Sequence, residues 1–575
     1  MSEQAGSETA QARWIIKNPA MAAADCGGPD FAPVIDAILT NRDIVSGAQR
    51  QAFLEPRLAD LSDPFEMPGM AAAVKRIFSA ADRGEKVALY GDYDVDGVTS
   101  LTLLKAVLDA YNIVSGTFLP HRVGEGYGLS VDGLKRCLEE QVPGLLIAVD
   151  CGTTSIDEVQ WLTKRGVETV ILDHHEPAPD GLPDCIALVN PKVPEPETAC
   201  RFDYLCSVGV VFKLAHAMLK ERPVVGFNLR DYLDIVAVGT VADIVPLRDE
   251  NRTLVKHGLC ALARTHNAGL AALAEIAGIN PPYGAQDISF RISPRLNAAG
   301  RLGSAAAALD LMLCENPGQA RDLAGQLDKQ NQRRQELEHK ASASAIASIE
   351  AGQAGECLHG IVVADRDWHP GVVGIVASRI ARKFHRPAFV IAIDENGVGK
   401  GSGRSIGTIS LIDIIHSGHR HLLGGGGHEM AAGISIREED IDAFRAHLNS
   451  HVRNTTTPED MLPLLHIDTE CRLEQLQLEI LDHFMQLEPF GAANPEPLLI
   501  ARNVSPTSEP RILKDKHYRF SLQQERVVRD AIYFNGVENG LPRPPWDVAF
   551  TIMRNDFRGR VSLQMNIRAI RQAER

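Results

Sequence analysis

Residues 86–100, KVALYGDYDVDGVTS, place Asp92, Asp94 and Asp96 directly after a short apolar run, with Gly91 and Gly97 on either side. Carboxylates this close repel one another, so a cation among them is the first chemistry to consider. DYDVDG matches the opening of an EF-hand calcium loop, which also needs a Glu at its twelfth position and a preceding helix. The twelfth position here is Leu103, and KVALY reads as a buried strand. The EF-hand reading fails on both counts. The plain alternative is a polar turn with Asp96 near the N-cap of the following helix.

Three further segments repeat the pattern. Asp150 closes GLLIAVD, Asp173 to His175 close TVILDHH, and Asp243 follows the apolar run of DIVAVGTVAD. In an open parallel sheet the loops at the carboxyl ends of the strands share one rim, where ligands bind. Read as four strand ends, these segments deliver Asp94, Asp96, Asp150, His174 and Asp243 to one cleft. Mostly carboxylate oxygens with one or two imidazoles suit Mn²⁺ or Mg²⁺ better than zinc or copper. Five or more ligands exceed what one catalytic ion with open positions needs, so the reading is two divalent cations bridged by one Asp, a device for phosphoryl chemistry.

The elements that must position these residues alternate strand and helix from about 70 to 310. The segment KVALY precedes the helix GVTSLTLLKAVLDAY, GLLIAVD precedes SIDEVQWLTKRG, and VETVILD leads into HHEPAPDGLP. This predicts an α/β domain on a largely parallel sheet. Residues 318–350 have high helix propensity and a thin apolar stripe, as a long helix joining two domains would. A second α/β pattern follows from about 358 to 436. It contains two glycine-rich stretches, GVGKGSGRS and LLGGGGHEMAAG, read as loops whose amides approach an anion. After EPFGAANPEP, short β-like runs such as HYRFSL, RDAIYF, WDVAFTIM and GRVSLQMNI predict a small barrel or sandwich.

The chain has 575 residues and a net charge of −15, with 45% hydrophobic residues, ordinary for a globular protein. Charge is uneven: residues 500–575 carry 14 Lys/Arg against 8 Asp/Glu. That basic tail on an acidic body, with Tyr518, Phe520, Tyr533, Phe534, Trp546, Phe550 and Phe557 interleaved, suits a stacking platform for single-stranded nucleic acid once half or more of the rings are assigned to a core. The 10 cysteines form no CxxC pair, which argues for scattered thiols in a reducing compartment and against a Cys-ligated zinc. No apolar stretch reaches membrane-spanning length and the N-terminus shows no secretory leader, so a cytoplasmic location is expected.

The motifs YGDYDVDGVTS, AVDCGTTS, VILDHHEP and GTVADIVPLRDENRTLVKHGL resemble the metal motifs of the DHH phosphoesterase superfamily. PRLNAAGR, GSGRS, GGGGHEMAAG and PFGAANPEP narrow the resemblance to RecJ-type single-strand-specific exonucleases, over about residue 65 to the C-terminus. The resemblance implies an N-terminal segment without assigned function over 1–64 and a parallel-sheet DHH catalytic domain over 65–317. A linking helix over 318–350, a second α/β DHH-associated domain over 351–460 and an all-β OB-fold over 461–575 would follow. It implies a metal-dependent 5′→3′ exodeoxyribonuclease of recombination and repair, using Mn²⁺ or Mg²⁺, with a single-strand-binding protein and a RecQ-type helicase as partners. By position, Asp94, Asp96, Asp150, His174 and Asp243 are the metal ligands, with His175, Asp92 and Asp173 in the catalytic centre. Arg122, Arg301, Ser402, Arg404 and His428 match substrate-binding positions. Two departures stand out: Tyr90 occupies the place of a His found in the superfamily's pyrophosphatases, and Ala493 that of a family glycine. A phosphodiesterase for short oligonucleotides or cyclic dinucleotides is the alternative, and the basic aromatic tail argues against it. A non-catalytic single-strand binder is a third reading, disfavoured by the intact ligand set.

Overall fold

The computed structural model describes residues 12–17, 30–120, 128–178, 181–193, 201–352, 359–557 and 559–573. Its chain divides into two compact units. One holds residues 51–333 with 487–495, and the other holds the described residues up to 50 with 334–486 and 496 onward.

In the first unit the expected α/β pattern forms a five-stranded, all-parallel sheet of β1 (Val87–Gly91), β2 (Ser115–Phe118), β3 (Leu145–Val149), β4 (Glu168–Leu172) and β5 (Ala187–Val189). The strand order is β2-β1-β3-β4-β5. The chain leaves β1 toward one edge and returns to the other side at β3, so the switch point lies between them. Strands β1 and β3 are buried at every residue, as continuous apolar runs covered on both faces should be. Helix α1 (Met70–Arg83) is strongly one-sided, whereas α2 (Val95–Ala110) is apolar nearly all round because it is enclosed by neighbouring helices.

One expectation is corrected here. The run before Asp243 is not a strand but the second of two buried helices, α3 (Ser207–Glu221) and α4 (Leu233–Ala242). Nine of the ten residues of α4 are buried, so it shows no amphipathic period. A continuous apolar run cannot be assigned by period, and its length of ten favours helix.

The segment around Ala493 closes onto the same unit. The Leu247 amide donates to Ala492 O at 2.8 Å, and Arg252 donates to Leu487 O and Glu488 O. Ala493 sits at φ +58°, the left-handed region that disfavours a Cβ and that a glycine would adopt without cost. Ala493→Gly is expected to relieve about 1–2 kcal/mol of backbone strain. About 0.4–1 kcal/mol of that is returned through the greater freedom of the unfolded chain. Urea denaturation should therefore show a gain of between about 0 and about 1.6 kcal/mol.

The long helix α5 (Pro317–Gly352) runs for 36 residues. In the second unit it is followed by β6 (Ile361–Asp365), α6 (Val373–Phe384), β7 (Ala388–Ile393), β8 (Val398–Arg404), β9 (Gly424–Gly427), β10 (Ala431–Arg437) and α7 (Ile441–Thr455). The sheet order is β9-β10-β8-β7-β6, with only β6 and β7 parallel. Both glycine-rich stretches, expected as loops, are therefore largely strand. The reason is steric. A Cβ added at Gly399, Gly401 or Gly403 would meet Ile391, Ile434 or Phe389 at 2.6, 2.8 or 2.5 Å, so one face of β8 is bare to let the core close over it. Lys400, Ser402 and Arg404 take the other face.

The C-terminal run forms a closed barrel from β11 (Thr469–Glu470), β12 (Leu499–Pro506), β13 (Arg511–Leu513), β14 (His517–Gln524), β15 (Val527–Tyr533), β16 (Trp546–Phe557) and β17 (Arg560–Gln572). Pairing of β12 with β14 closes the order β11-β12-β16-β17-β15-β14-β13. Phe520, Tyr533, Trp546 and Phe550 are core, while Phe534 is 45% exposed. The N-terminal segment Arg13–Ile16 pairs in parallel with Leu464–Ile467, and Arg571 lies over the Trp14 ring.

Candidate metal centre

The turn after β1 brings its carboxylates together by a close backbone approach. A Cβ at Gly97 would lie 2.3 Å from Asp92 O, so the glycine lets the start of α2 fold back on the strand end. Asp94, not Asp96, is the N-cap: its Oδ1 accepts from the amides of Asp96 and Gly97 at 2.9 and 3.1 Å. Asp96 is turned inward and buried, and its carboxylate takes the amides of Ser207 and Val208 at 2.7 and 2.9 Å. The N-terminal end of α3 thus faces a carboxylate, the favourable polarity for a helix dipole. Ser207 also donates its hydroxyl to Asp150 Oδ1 at 2.9 Å.

Asp150 follows β3 with φ +62°, and Ile244, directly after Asp243, has φ +63°. Left-handed backbone at a β-branched residue is an outlier, and such strain is typical of residues held in place for function. His174 ends β4 with its Nε2 3.6 Å from Asp150, 3.5 Å from Asp243 and 3.9 Å from Asp96. Neither of its ring nitrogens has a hydrogen-bond partner among the described residues. Among the described residues three groups offer ligand atoms within 4.8 Å of one another: Asp92, Asp94 and Asp150; Asp150, His174 and His175; and Asp96, Cys206 and Asp243. Asp150 belongs to two of them, the position a bridging carboxylate requires. Cys206 was not foreseen, and burial holds its thiol well above the ordinary range, so it is no thiolate ligand as it stands.

The electrostatics agree with a cation site. Burial, then the charge of Asp94, pushes Asp96 up to about 6. Burial, then Asp96 and Asp94, pushes Asp243 up to about 8, and Asp150 is raised well above the ordinary value by burial and four neighbouring carboxylates. Burial, then His175, takes His174 down to about 3, which keeps the imidazole neutral and able to ligate. Crowded carboxylates that resist ionisation around a neutral imidazole without hydrogen-bond partners fit a pair of hard divalent ions. Mn²⁺ or Mg²⁺ suits that donor set.

Beside this cluster lies a closed hydrogen-bonded ring that sequence reading missed. Asp173 Oδ1 meets His175 Nδ1 at 2.7 Å, and Asp173 Oδ2 accepts from Thr153 N and Oγ1 at 3.0 and 2.6 Å. Asn190 Nδ2 donates to Thr153 Oγ1 and to His175 O, both at 2.8 Å. Burial opposes the charge on Asp173, but the bonds from His175 and Thr153 outweigh it and hold the carboxylate below its ordinary range. Burial likewise opposes protonation of His175, and the bond to Asp173 outweighs it, so its pKa rises. An ionised carboxylate can only accept, which places a proton on Nδ1 of His175. Thr153, Asn190 and Ser207 carry no periodic or compositional signal; only their place just after β3, just after β5 and at the first residue of α3 marks them. Thr153→Val should lower kcat about 10–100-fold, as loss of outer-shell partners does, while Thr153→Ser restores it. Thermal unfolding measured alongside separates this from loss of fold.

Of the residues expected to bind substrate, Arg122 lies outside the described residues. Arg301 sits half-buried on the helix Ser293–Leu302 of the first unit. In the second unit Ser402 and Arg404 do come together: Arg404 Nη1 donates to Ser402 Oγ at 3.1 Å and to Gly403 O at 2.8 Å, and burial lowers the guanidinium pKa. The first turn of α6 adjoins them, since a Cβ at Gly374 would lie 3.2 Å from Ser402 Oγ. His428 is exposed in the turn between β9 and β10, its amide bonded to Ala431 O at 2.8 Å.

Comparison with known proteins agrees with this architecture. The DHH family N-terminal domain matches residues 86–240, the DHHA1 domain 357–454 and the RecJ OB domain 467–569. The single-stranded-DNA-specific exonuclease RecJ of Bacillus subtilis is 38% identical over 506 residues, 88% of this chain and 63% of that protein's length. The Haemophilus influenzae protein of the same name is 34% identical over 563 residues, covering 93% of this chain and 95% of its own. The crystal structure of RecJ from Thermus thermophilus in complex with Mn²⁺ superposes with a TM-score of 0.83 at 30% identity, covering 98% of this chain and 80% of that one. Its complex with Mg²⁺ gives 0.76 at 28% identity, over 98% and 79% of the two chains. With the Haemophilus influenzae protein 34% identical over 95% of its own length, the chain belongs to the RecJ family.

Proposed function

We propose that this protein is a single-strand-specific 5′→3′ exodeoxyribonuclease of recombination and repair that works with two divalent cations, Mn²⁺ or Mg²⁺. The observation that carries the reading is Asp150, strained, buried and shared by two adjoining ligand groups. Asp94, Asp96, His174 and Asp243 complete the ligand set, with Asp92 beside them. Cations bound there supply an acidified water and positive charge against a phosphodiester transition state. The residues of the chain do the rest. Ser207 and the first amides of α3 orient Asp150 and Asp96, and the Asp173–Thr153–Asn190 ring fixes the tautomer and aim of His175. The DHH domain over 65–317, the associated domain over 351–460 and the OB-fold over 461–575 divide the labour between chemistry, end binding and strand binding.

The barrel supports a strand substrate rather than a dinucleotide. Ile512, Leu513 and Phe534 are 53%, 38% and 45% exposed, amid Arg511, Lys514, Lys516 and Arg519. Apolar and aromatic surface interleaved with cations is how unstacked bases and their phosphates are held together. Association with a single-strand-binding protein and a RecQ-type helicase, and a cytoplasmic location, follow from the family resemblance. Incubation with end-labelled single strands and Mn²⁺, Mg²⁺ or EDTA tests the assignment. Stepwise loss from the 5′ end of long strands is expected with either cation and none in EDTA. Turnover confined to dinucleotides would favour the alternative phosphodiesterase.

End recognition is assigned to Ser402, Arg404 and His428 in the second unit, while Arg122 and Arg301 are carried as substrate-binding residues by the family resemblance alone. A guanidinium beside a hydroxyl and a helix start suits a terminal phosphate. Arg404→Ala should lose about tenfold or more of the preference for a 5′-phosphate over a 5′-hydroxyl end. Its affinity for Mn²⁺ should stay unchanged in a metal titration. Retained end preference would remove Arg404 from this role.

A further inference from the structure

The second unit gathers imidazoles where the first gathers carboxylates. His416, His419 and His421 stand at the end of the helix Leu411–Ser417 and in the turn that leads from it into β9. His447 and His451 stand four residues apart on α7. That spacing puts two side chains on one helix face and lets two imidazoles hold one metal ion.

The fold brings the two stretches together. Ser417 Oγ lies 3.1 Å from His447 Nε2 and 3.2 Å from His451 Nδ1, so both ring nitrogens converge on one point. The ring centres of His421 and His451 each lie 6.0 Å from that of His447. Gly418 admits the His447 ring, since a Cβ there would lie 2.7 Å from His447 Cδ2. The Ser417 hydroxyl donates its proton to Asp413 O at 2.6 Å, so toward the imidazoles its oxygen only accepts. Arg420 Nε donates to His421 Nε2 at 3.1 Å. Burial lowers the His447 pKa; the bond to Ile414 O opposes this, and His451, His421 and Arg420 lower it further. No carboxylate is among these influences, and the ring stays neutral at pH 7 with a lone pair to offer.

We infer that His447 and His451, joined by His421, form a second metal site that takes a zinc-class ion: Zn²⁺, Ni²⁺ or Cu²⁺. An ion at the point where the Ser417 hydroxyl now sits asks each nitrogen to move in by about 1 Å, to the usual metal–imidazole distance of about 2.1 Å. Ser417 turns its hydroxyl toward Ile414 O, already 3.3 Å away. Each imidazole ligates as the neutral ring, its proton shifting to the nitrogen away from the ion. His421 exchanges its bond from Arg420 for the third ligand position. Imidazole donors select these ions, whereas the carboxylates of the first unit suit Mn²⁺ or Mg²⁺, so the two centres sort cations by donor type. The bound ion bridges α7 to the turn that leads into β9. None of its ligands belongs to the carboxylate centre, so the site stands independently of the exonuclease reading.

The test uses the full-length chain in excess Mg²⁺, with Zn²⁺ as the probe. Carbethoxylation by diethyl pyrocarbonate, followed by mass spectrometry, reads each histidine separately. Zn²⁺ should slow modification of His447 and His451 together by about tenfold or more, while exposed His466 reacts as before. In His451→Gln the Zn²⁺ concentration that protects His447 should rise about tenfold or more, because chelation by the pair is lost. Hydrogen exchange of the amides over 418–427 should slow with Zn²⁺ in the wild type and not in His447→Gln/His451→Gln. Circular dichroism reports the fold of both variants. Equal modification of His447 and His451 with and without Zn²⁺ overturns the inference, and that arm needs no variant. Protection by Mg²⁺ alone, protection of His447 indifferent to His451→Gln, or unchanged exchange over 418–427 overturns it as well.

Discussion

Asp150→Asn should abolish strand hydrolysis while leaving the fold and the binding of single strands in place. The substitution keeps the size of the side chain and an oxygen to accept the Ser207 hydroxyl, so packing at the end of β3 is preserved. It removes the one carboxylate common to two ligand groups. Loss of a single charge-stabilising donor already costs about 10²–10³ in turnover, and both cation positions depend on Asp150, so a fall beyond about 10³-fold is expected. Affinity for Mn²⁺ should fall in parallel when titrated calorimetrically. Anisotropy with a long labelled strand should be unaltered, because the strand-binding surface proposed here lies on the barrel and not at Asp150. Wild-type turnover by the folded variant would remove Asp150 from the bridging role.

Without divalent cations, the first unit should lose stability as pH rises from about 6.5 to 8. Asp243, raised to about 8, and Asp150, raised well above its ordinary value, hold protons in the native state that the unfolded chain releases near pH 4. A group with a raised folded pKa stabilises most below its unfolded value and loses that contribution as pH climbs through the folded one. The raised His175 acts in the same sense. His174 acts oppositely, being lowered to about 3, but its effect is complete once the unfolded imidazole has titrated near 6.5. Above that pH the carboxylates act almost unopposed; Asp243 contributes about 2 kcal/mol over the window and Asp150 acts in the same direction. Hydrogen exchange of the β3 amides in EDTA at pH 6.5 and 8 reads this locally, which matters in a chain of two units. Adding Mn²⁺ should abolish the slope, since a bound cation favours the ionised carboxylates at either pH. A flat profile in EDTA would show that the acids are not crowded enough to need a cation.

Much of the candidate metal centre could be read before any fold was known, because its candidate ligands are marked locally. Aspartates and histidines stand directly after apolar runs, and a parallel sheet has only one rim to which such runs can lead. The buried strands, the long helix and the barrel's alternating strands were legible for the same reason: each has a length or a period of its own. What tertiary structure decided is whatever depends on a neighbour distant in sequence. The run before Asp243 has no period because it is enclosed on all sides, and only its packing beside α2 and α3 makes it a helix. The glycines of β8 resemble a loop until Phe389 and Ile391 occupy the space their side chains would fill. Thr153, Asn190 and Ser207 are common residues whose roles exist only in hydrogen bonds across 20, 15 and 57 positions of chain. The left-handed backbone at Asp150 and Ile244 is likewise imposed from outside, since neither residue prefers it and the surrounding packing must hold it there.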